Sequence, residues 1–596
     1  MEAVARVFEA SESPGRCSIR AVSPTVKRLL EKLEGGKRLR PSRGRVERTF
    51  AAIERLRLRD AESLIRFHEA ALFLRAYPQT RGVLRRAEKA LASIPGRVAR
   101  LEREREDLSA LDTPEVSGIA GTAITTDYSY DVVEWLFRRH RGRVSIDWEG
   151  FEGIDRLRFL WPLFLPLLEE EAAEDANVPY REWLRAGKPR GVSDLAWLLE
   201  KLRKLPLSEI ERAERFEALG LAVSWKLPDF RSTRTGMRWP GRRPFFQDSP
   251  LLSRRDISLE RELSGPPLAI ERLSPQEGAR VLAMTRDATA LRYREYYGFT
   301  YADPQTVRQA RPGRGLQIFF CGLPASRRLP LRGGFAAFLV KNGVPVGYVE
   351  ALAFLERVEI GFNVYYTFRD GESAWIFSQV LRVLNRILGV TSFSIDPYQI
   401  GHENEEALDS GAFWFYRKLG FRSTDRRLGE LTRKEEEKLA ANSAYRTPSR
   451  TLKRLATANV LFEPPVLKSR FSTLHSQFST SPWDFFHIRN LGLAVDRRMA
   501  RDFGGDAARM RRAALRRVAR VLGARPETWP EAHQSAFENL ALVLDLIGDL
   551  PQWSRAEKRS LLEVVRAKAG RDEVRYLWLM QKHARLRVAL LRLDSR

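Results

Sequence analysis

The apolar positions of this chain change period several times, and the changes divide it. From Pro24 to about Glu106 they recur at three- and four-residue steps: Val26, Leu29, Leu30 and Leu33, then Phe50, Ile53, Leu56, Leu64, Phe67 and Leu72, then Val83 to Ile94 and Val98 to Leu108. That spacing predicts paired amphipathic helices. No fixed period repeats, so a helical bundle is expected rather than a solenoid. Residues 1–20 show no period and read as a tail. Residues 112–228 are mixed. Helices are expected over Tyr130–His140, Phe164–Ala173 and Leu195–Leu202, a strand over Val144–Trp148, and a packed Gly-rich loop over Val116–Thr126. Gly and Pro then punctuate a basic stretch from 229 to 267, which reads as a linker or an arm laid over a neighbour.

From Leu268 the periods switch in order. Leu268–Leu273 alternates as a strand does, and Ser274-Pro-Gln-Glu277 forms a capping box with Pro just inside a helix running to about Tyr297. Strands are expected over Gly315–Gly322, Phe335–Val340, Val346–Phe354 and Val358–Tyr366. Asn342-Gly343 lies between two of them and predicts a tight hairpin. A helix over Ala374–Leu388 and a buried strand over Thr391–Ile395 follow. Leu408, Ala412, Phe415, Tyr416 and Leu419 then share one helical face, with Asp409 and Ser410 as N-cap candidates and Gly420 as the C-terminal stop. The charged helix near Thr432–Lys438 and residues 450–596 read as helical again. Phe471, Leu474, Phe478, Trp483, Phe485 and Phe486 form an aromatic entry to that last region, and Arg509–Arg520 a basic amphipathic helix with a solvated face.

The segment Asp409–Phe421 resembles the last helix of the GNAT superfamily of N-acetyltransferases, through Ala412, Phe415, Tyr416, Lys418, Leu419, Gly420 and Phe421. Asp409 stands where that family carries Asn. The order of strands and helices over 268–430 matches the family as well. The resemblance implies an α+β protein: a GNAT-like mixed-sheet domain at 268–430, flanked by helical regions at 1–111 and 431–596, a mixed, mainly helical region at 112–228 and the arm at 229–267. It also implies acetyl-CoA or another acyl-CoA as co-substrate and an unidentified amine as acceptor.

By the same resemblance, Arg369, Asp370, Gly371, Glu372, Ser373 and Ala374 correspond to the loop whose backbone N–H groups hold the CoA diphosphate at a helix N-terminus. Glu372 departs from the family's Gly, and Gly371 stands one place early. Asn363 and Val364 would lie beside the pantetheine arm. Tyr416 would serve as general acid toward the CoA sulfur, with Glu350 or Glu359 as base. Each of these side chains also has a plain reading, as a packed aromatic or an ordinary strand carboxylate.

Composition narrows the rest. The 596 residues predict several domains, and two cysteines, Cys17 and Cys321, leave no disulfide framework, which suits a cytoplasmic protein. The most apolar run, Phe159–Leu168, is too short to span a bilayer and holds two prolines. Neither His68, on an apolar helix face, nor His402–Glu406, with a single histidine, has the donor set of a metal site. The formal charge of +26 keeps nucleic acid as a possible partner. Its even spread favours a generally basic surface. Two alternatives to the CoA enzyme therefore stand: a transferase using aminoacyl-tRNA, and a non-catalytic scaffold with a degenerate GNAT domain.

Overall fold

The structure, a computed structural model, describes residues 23–37, 44–164, 177–241, 243–468 and 481–593, together with Asp175. The expected tail, nearly all of the expected helix over Phe164–Ala173, and Phe471, Leu474 and Phe478 lie outside those residues.

Side-chain caps set the N-terminal helices, which run Pro24–Gly35, Arg45–Glu54, Ala61–Ala76, Arg81–Ala92 and Ile94–Arg103. Asp60 accepts from the Ser63 N–H at 2.7 Å and Thr80 from the Val83 N–H at 3.0 Å. Ala61–Ala76 is the central helix and is buried almost all round from Phe67 onward. His68 is packed there, its ring bridging Glu69 at 2.9 Å and Thr235 at 3.0 Å. The next region holds a three-stranded antiparallel sheet: β1 (Ala123–Thr126), β2 (Val144–Ile146) and β3 (Val223–Lys226), in the order β1-β3-β2. The packed loop expected over Val116–Thr126 therefore ends at Thr122, and its last four residues pair with a strand a hundred residues on.

Nine further strands form one large sheet. They are β4 (Ile270–Arg272), β5 (Arg308–Gly313), β6 (Leu316–Gly322), β7 (Gly333–Lys341), β8 (Val344–Phe354), β9 (Arg357–Val364), β10 (Ser392–Ile395), β11 (Arg422–Ser423) and β12 (Val460–Phe462). Their spatial order is β4-β5-β6-β7-β8-β9-β10-β12-β11. Every pair is antiparallel except β9 with β10, which needs the crossover helix Ser373–Leu388 between them. The expected hairpin is present: Asn342 and Gly343 have φ of +49° and +84°, the left-handed pair that a two-residue turn between twisted strands demands. The Ser274–Glu277 capping box forms, but its helix stops at Ala290.

Two further boundaries differ from expectation. Asp409 does not open the last helix. It ends a short helix, Glu405–Asp409, capped by Asn404; a second, Ala412–Arg417, starts after Gly411 at φ +69°. The left-handed glycine breaks what the apolar spacing presents as one helix. The sheet also continues past residue 430. Val460–Phe462 returns from the helices Arg426–Ala441 and Ser449–Leu455 and inserts between β10 and β11.

The arm 229–267 ties these parts together. Trp239 N–H donates to the Gly343 carbonyl at 2.7 Å, and Phe245 N–H to the Asn342 side chain at 2.8 Å. Gln247 N–H donates to Pro78 O at 2.8 Å, back on the N-terminal helices. The C-terminal helices close on the other side. Arg587, in helix Ala584–Leu593, pairs with Glu356 in the β8–β9 turn, both fully buried. Gln581 donates to the Leu355 and Leu388 carbonyls at 2.8 and 3.0 Å. Phe485 is exposed, whereas Trp483 and Phe486 are buried. The basic helix Ala507–Leu522 buries Met510, Ala514, Val518 and Leu522 along one stripe.

Candidate functional site

Along β9, alternate residues face opposite sides of the sheet. Glu359, Gly361 and Asn363 face one side and are only partly covered. On β8, Tyr348, Glu350 and Leu352 share that side, opposite Asn363, Gly361 and Glu359 respectively. Val358, Ile360, Phe362 and Val364 face the other side, where Phe362 packs on Phe377 at 5.1 Å between ring centres. The parallel register of β9 with β10 ends at the pair Glu359–Ser394. From Ile360 onward β9 has no strand partner on that edge, which leaves a notch in the middle of the sheet. Gln399, from the turn after β10, reaches over this notch, its amide 3.5 Å from where a Gly361 side chain would begin.

Glu350 stands beside the notch. Burial raises its carboxyl above the ordinary glutamate value, and no charged neighbour opposes that. Tyr348 meets Tyr296 through their hydroxyls, with ring centres 4.0 Å apart. Glu359 is also raised by burial, but Arg357 and Arg332 pull the other way, and Arg332 lies 3.5 Å from its carboxylate. Of the two candidate bases, Glu350 is the one without a cationic partner among the described residues.

Tyr416 lies on the opposite face of β9. It is 3% exposed, in edge contact with Phe377, Phe415 and Phe421. Burial alone pushes its phenol well above the ordinary tyrosine value, so it keeps its proton. The structure therefore does not set Tyr416 and Glu350 side by side. Tyr416 packs on Phe377 and Phe415, the rings that cover the Phe362 side of β9, whereas Glu350 lies on the other side of the sheet, opposite Gly361.

The loop 369–374 is largely turned into the protein. Arg369 stacks over the Tyr366 ring at 3.7 Å and pairs with Glu406; Asp370 is exposed. A side chain at Gly371 would meet the Tyr77 hydroxyl at 2.6 Å, so the helix that ends at Ala76 roofs this residue. Glu372 is fully buried and, although it is the N-cap residue of the helix, its side chain makes no capping bond. It pairs with Lys341 at 2.8 Å and with Arg314, and accepts from Leu252 N–H of the arm at 3.3 Å. Ser373 bonds back to the Arg369 carbonyl at 3.4 Å, and Ala374 is buried. Asn363 is partly covered beside Tyr348, Val364 is buried on the far face, and Asp409 is exposed.

Tyr77, Lys341, Arg314, Tyr296 and Gln399 were not singled out from the sequence. Lys341 carries a weak signal, as a lysine ending an apolar strand before a tight turn. Tyr77 carries none. Among the described residues no group of three or more His, Cys, Asp or Glu side chains is placed to hold a metal ion, and no helix is long and apolar enough to cross a membrane.

Comparison with protein-family models, with curated proteins and with solved structures finds no match for this chain.

Proposed function

We propose that the large sheet carries a GNAT-like N-acyltransferase domain, which moves an acyl group from acyl-CoA to an amine. The observation that supports this most is the notch: a parallel strand pair parts at Glu359, beside a carboxyl raised by burial alone. An amine must be neutral to attack a thioester. Glu350 has the position and the raised affinity for a proton to take one from the incoming ammonium. The amine nitrogen then bonds to the acyl carbon and sheds its second proton to solvent, the carbon–sulfur bond breaks, and the departing thiolate takes a proton from Tyr416, whose phenolate is reprotonated by solvent. Products are an amide and free thiol.

One observation favours a second reading of the donor. Gly371 and Glu372, where a diphosphate would seat, are filled by Tyr77, Lys341 and Arg314. A donor without a diphosphate, such as aminoacyl-tRNA, does not need that seat, and the +26 charge suits an RNA. The test is transfer to a broad amine panel with acetyl-CoA, followed by thiol release, run beside an aminoacyl-tRNA assay. Thiol release lost in Glu350→Gln supports the first reading. Transfer only from the RNA ester supports the second. No transfer and no donor binding leaves the domain a scaffold.

A further inference from the structure

A cleft of about 670 Å³ lies between helices Tyr130–Arg139, Glu209–Glu217 and Pro275–Ala290, with Arg327 closing one side. Seven of its lining residues are arginine and four are acidic, an excess of three positive charges. Several arginines pair with acids yet stay open to water: Arg138, Arg203 and Arg294 have 70%, 51% and 42% of their side chains exposed. Two more bond no carboxylate among the described residues. Arg286 donates to the Phe299 and Thr300 carbonyls at 3.1 and 2.7 Å, and Arg212 to the Leu202 and Leu207 carbonyls at 2.9 and 3.0 Å. Of the acids, Glu295 is raised by burial and so carries its charge less firmly.

Aromatic rings adjoin this floor. Trp135 lines the cleft under Arg286, 4.8 Å from its ring centre. Tyr301 lines it under Arg327 at 4.3 Å and stands 4.7 Å from Tyr297, which is 48% exposed. Guanidinium groups match phosphate oxygens, and exposed tyrosine rings stack on flat heterocycles. The volume is within the range of small-molecule sites.

We propose that this cleft binds a phosphorylated small molecule of nucleotide size, its phosphates on the arginines and its base against Tyr297 and Tyr301. The inference is independent of acyl transfer. It is tested by calorimetry on the full chain with ATP and with inorganic tripolyphosphate, at low and moderate salt. Both probes should bind, ATP more tightly. The variant Arg203→Gln/Arg294→Gln removes two half-exposed cations held by long contacts of 3.3 and 3.5 Å, and should weaken both probes roughly tenfold or more. Tyr297→Ala should remove the preference for ATP over tripolyphosphate while leaving tripolyphosphate affinity unchanged. Circular dichroism and urea unfolding establish that both variants fold. Absence of binding by the parent, or equal binding by the arginine variant, overturns the proposal. So does a single-stranded RNA oligonucleotide that binds more tightly than ATP and displaces it, since the cleft would then belong to a polymer.

Discussion

Lys341 and Glu372 meet at 2.8 Å with neither side chain exposed to solvent. The pair joins the end of β7 to the start of the crossover helix, and Tyr77 and Trp375 lie within cation–π reach of the ammonium at 4.8 and 5.4 Å. Burial draws Lys341 down to about 8, against the pull of Glu372. Replacing Glu372 by glycine, the residue that GNAT loops carry at the corresponding place, would thus strip a buried ammonium of its nearest carboxylate rather than open an anion seat. Glu372→Gln should cost about 3–5 kcal/mol in urea unfolding, the usual penalty for breaking a buried pair from one side. Lys341→Met with Glu372→Leu should cost clearly less. A double variant as unstable as the single one would show that packing, not charge, sets the loss.

The same corner makes stability depend on acid. Burial alone would raise the Glu372 carboxyl, but Lys341 and Arg314 outweigh it and hold it below its ordinary value. Nearby Glu69 is lowered from 4.5 to about 2: burial opposes the shift, and Arg234, His68 and Thr367 prevail. A carboxyl depressed in the folded state adds stability above its unfolded value, and that stability drains away as pH falls through the folded value. Unfolding free energy should therefore drop between pH 4.5 and about 2. Glu69→Gln should flatten the drop while lowering stability at neutral pH. An unchanged slope in that variant would assign the acid sensitivity to other carboxylates.

If Glu350 is the base, its raised carboxyl should set the acid limb of the rate profile. The limb of kcat/KM should fall above the ordinary glutamate range, because the free enzyme loses activity once this group is protonated. Glu350→Gln should lower turnover by roughly 10²–10⁴-fold and abolish that limb. Glu359→Gln, whose partner is Arg332, should leave the limb in place and change mainly stability. A limb that survives in Glu350→Gln would transfer the role elsewhere.

Local signals are legible in the sequence because their causes are local. The Asn342-Gly343 turn and the Ser274–Glu277 capping box each need only neighbours within four residues, and both formed. The helix spacing of Ala412–Leu419 was also sound, yet Gly411 broke the segment, since spacing does not register a left-handed glycine. β12 is not legible because three apolar residues carry no measurable period, and its partners lie at least 37 and 65 residues away. Glu372 shows the same limit for the site. Its partners Lys341 and Arg314 are 31 and 58 residues upstream, and only the closed sheet brings them together. The arginine cleft draws on helices spread across 130–290, so no stretch of sequence announces it.

Tyr416 offers the sharpest separation of packing from chemistry. Its ring makes edge contacts with Phe377, Phe415 and Phe421, and burial is the sole cause of its raised phenol. Tyr416→Phe keeps the ring and nearly all of the buried area. Removing a hydroxyl that pairs with no buried partner should be close to neutral for stability, within about 1 kcal/mol. A general acid, in contrast, is missed only while the thiolate leaves. Turnover with acyl-CoA should then fall by roughly 10²–10⁴-fold while the acyl-CoA dissociation constant stays at the parent value. Because the phenol remains protonated throughout the working range, the loss should be the same at every pH, unlike that of Glu350→Gln. Thiol release by Tyr416→Phe at the parent rate would reduce Tyr416 to a core aromatic and leave the leaving group to be protonated by solvent at the notch.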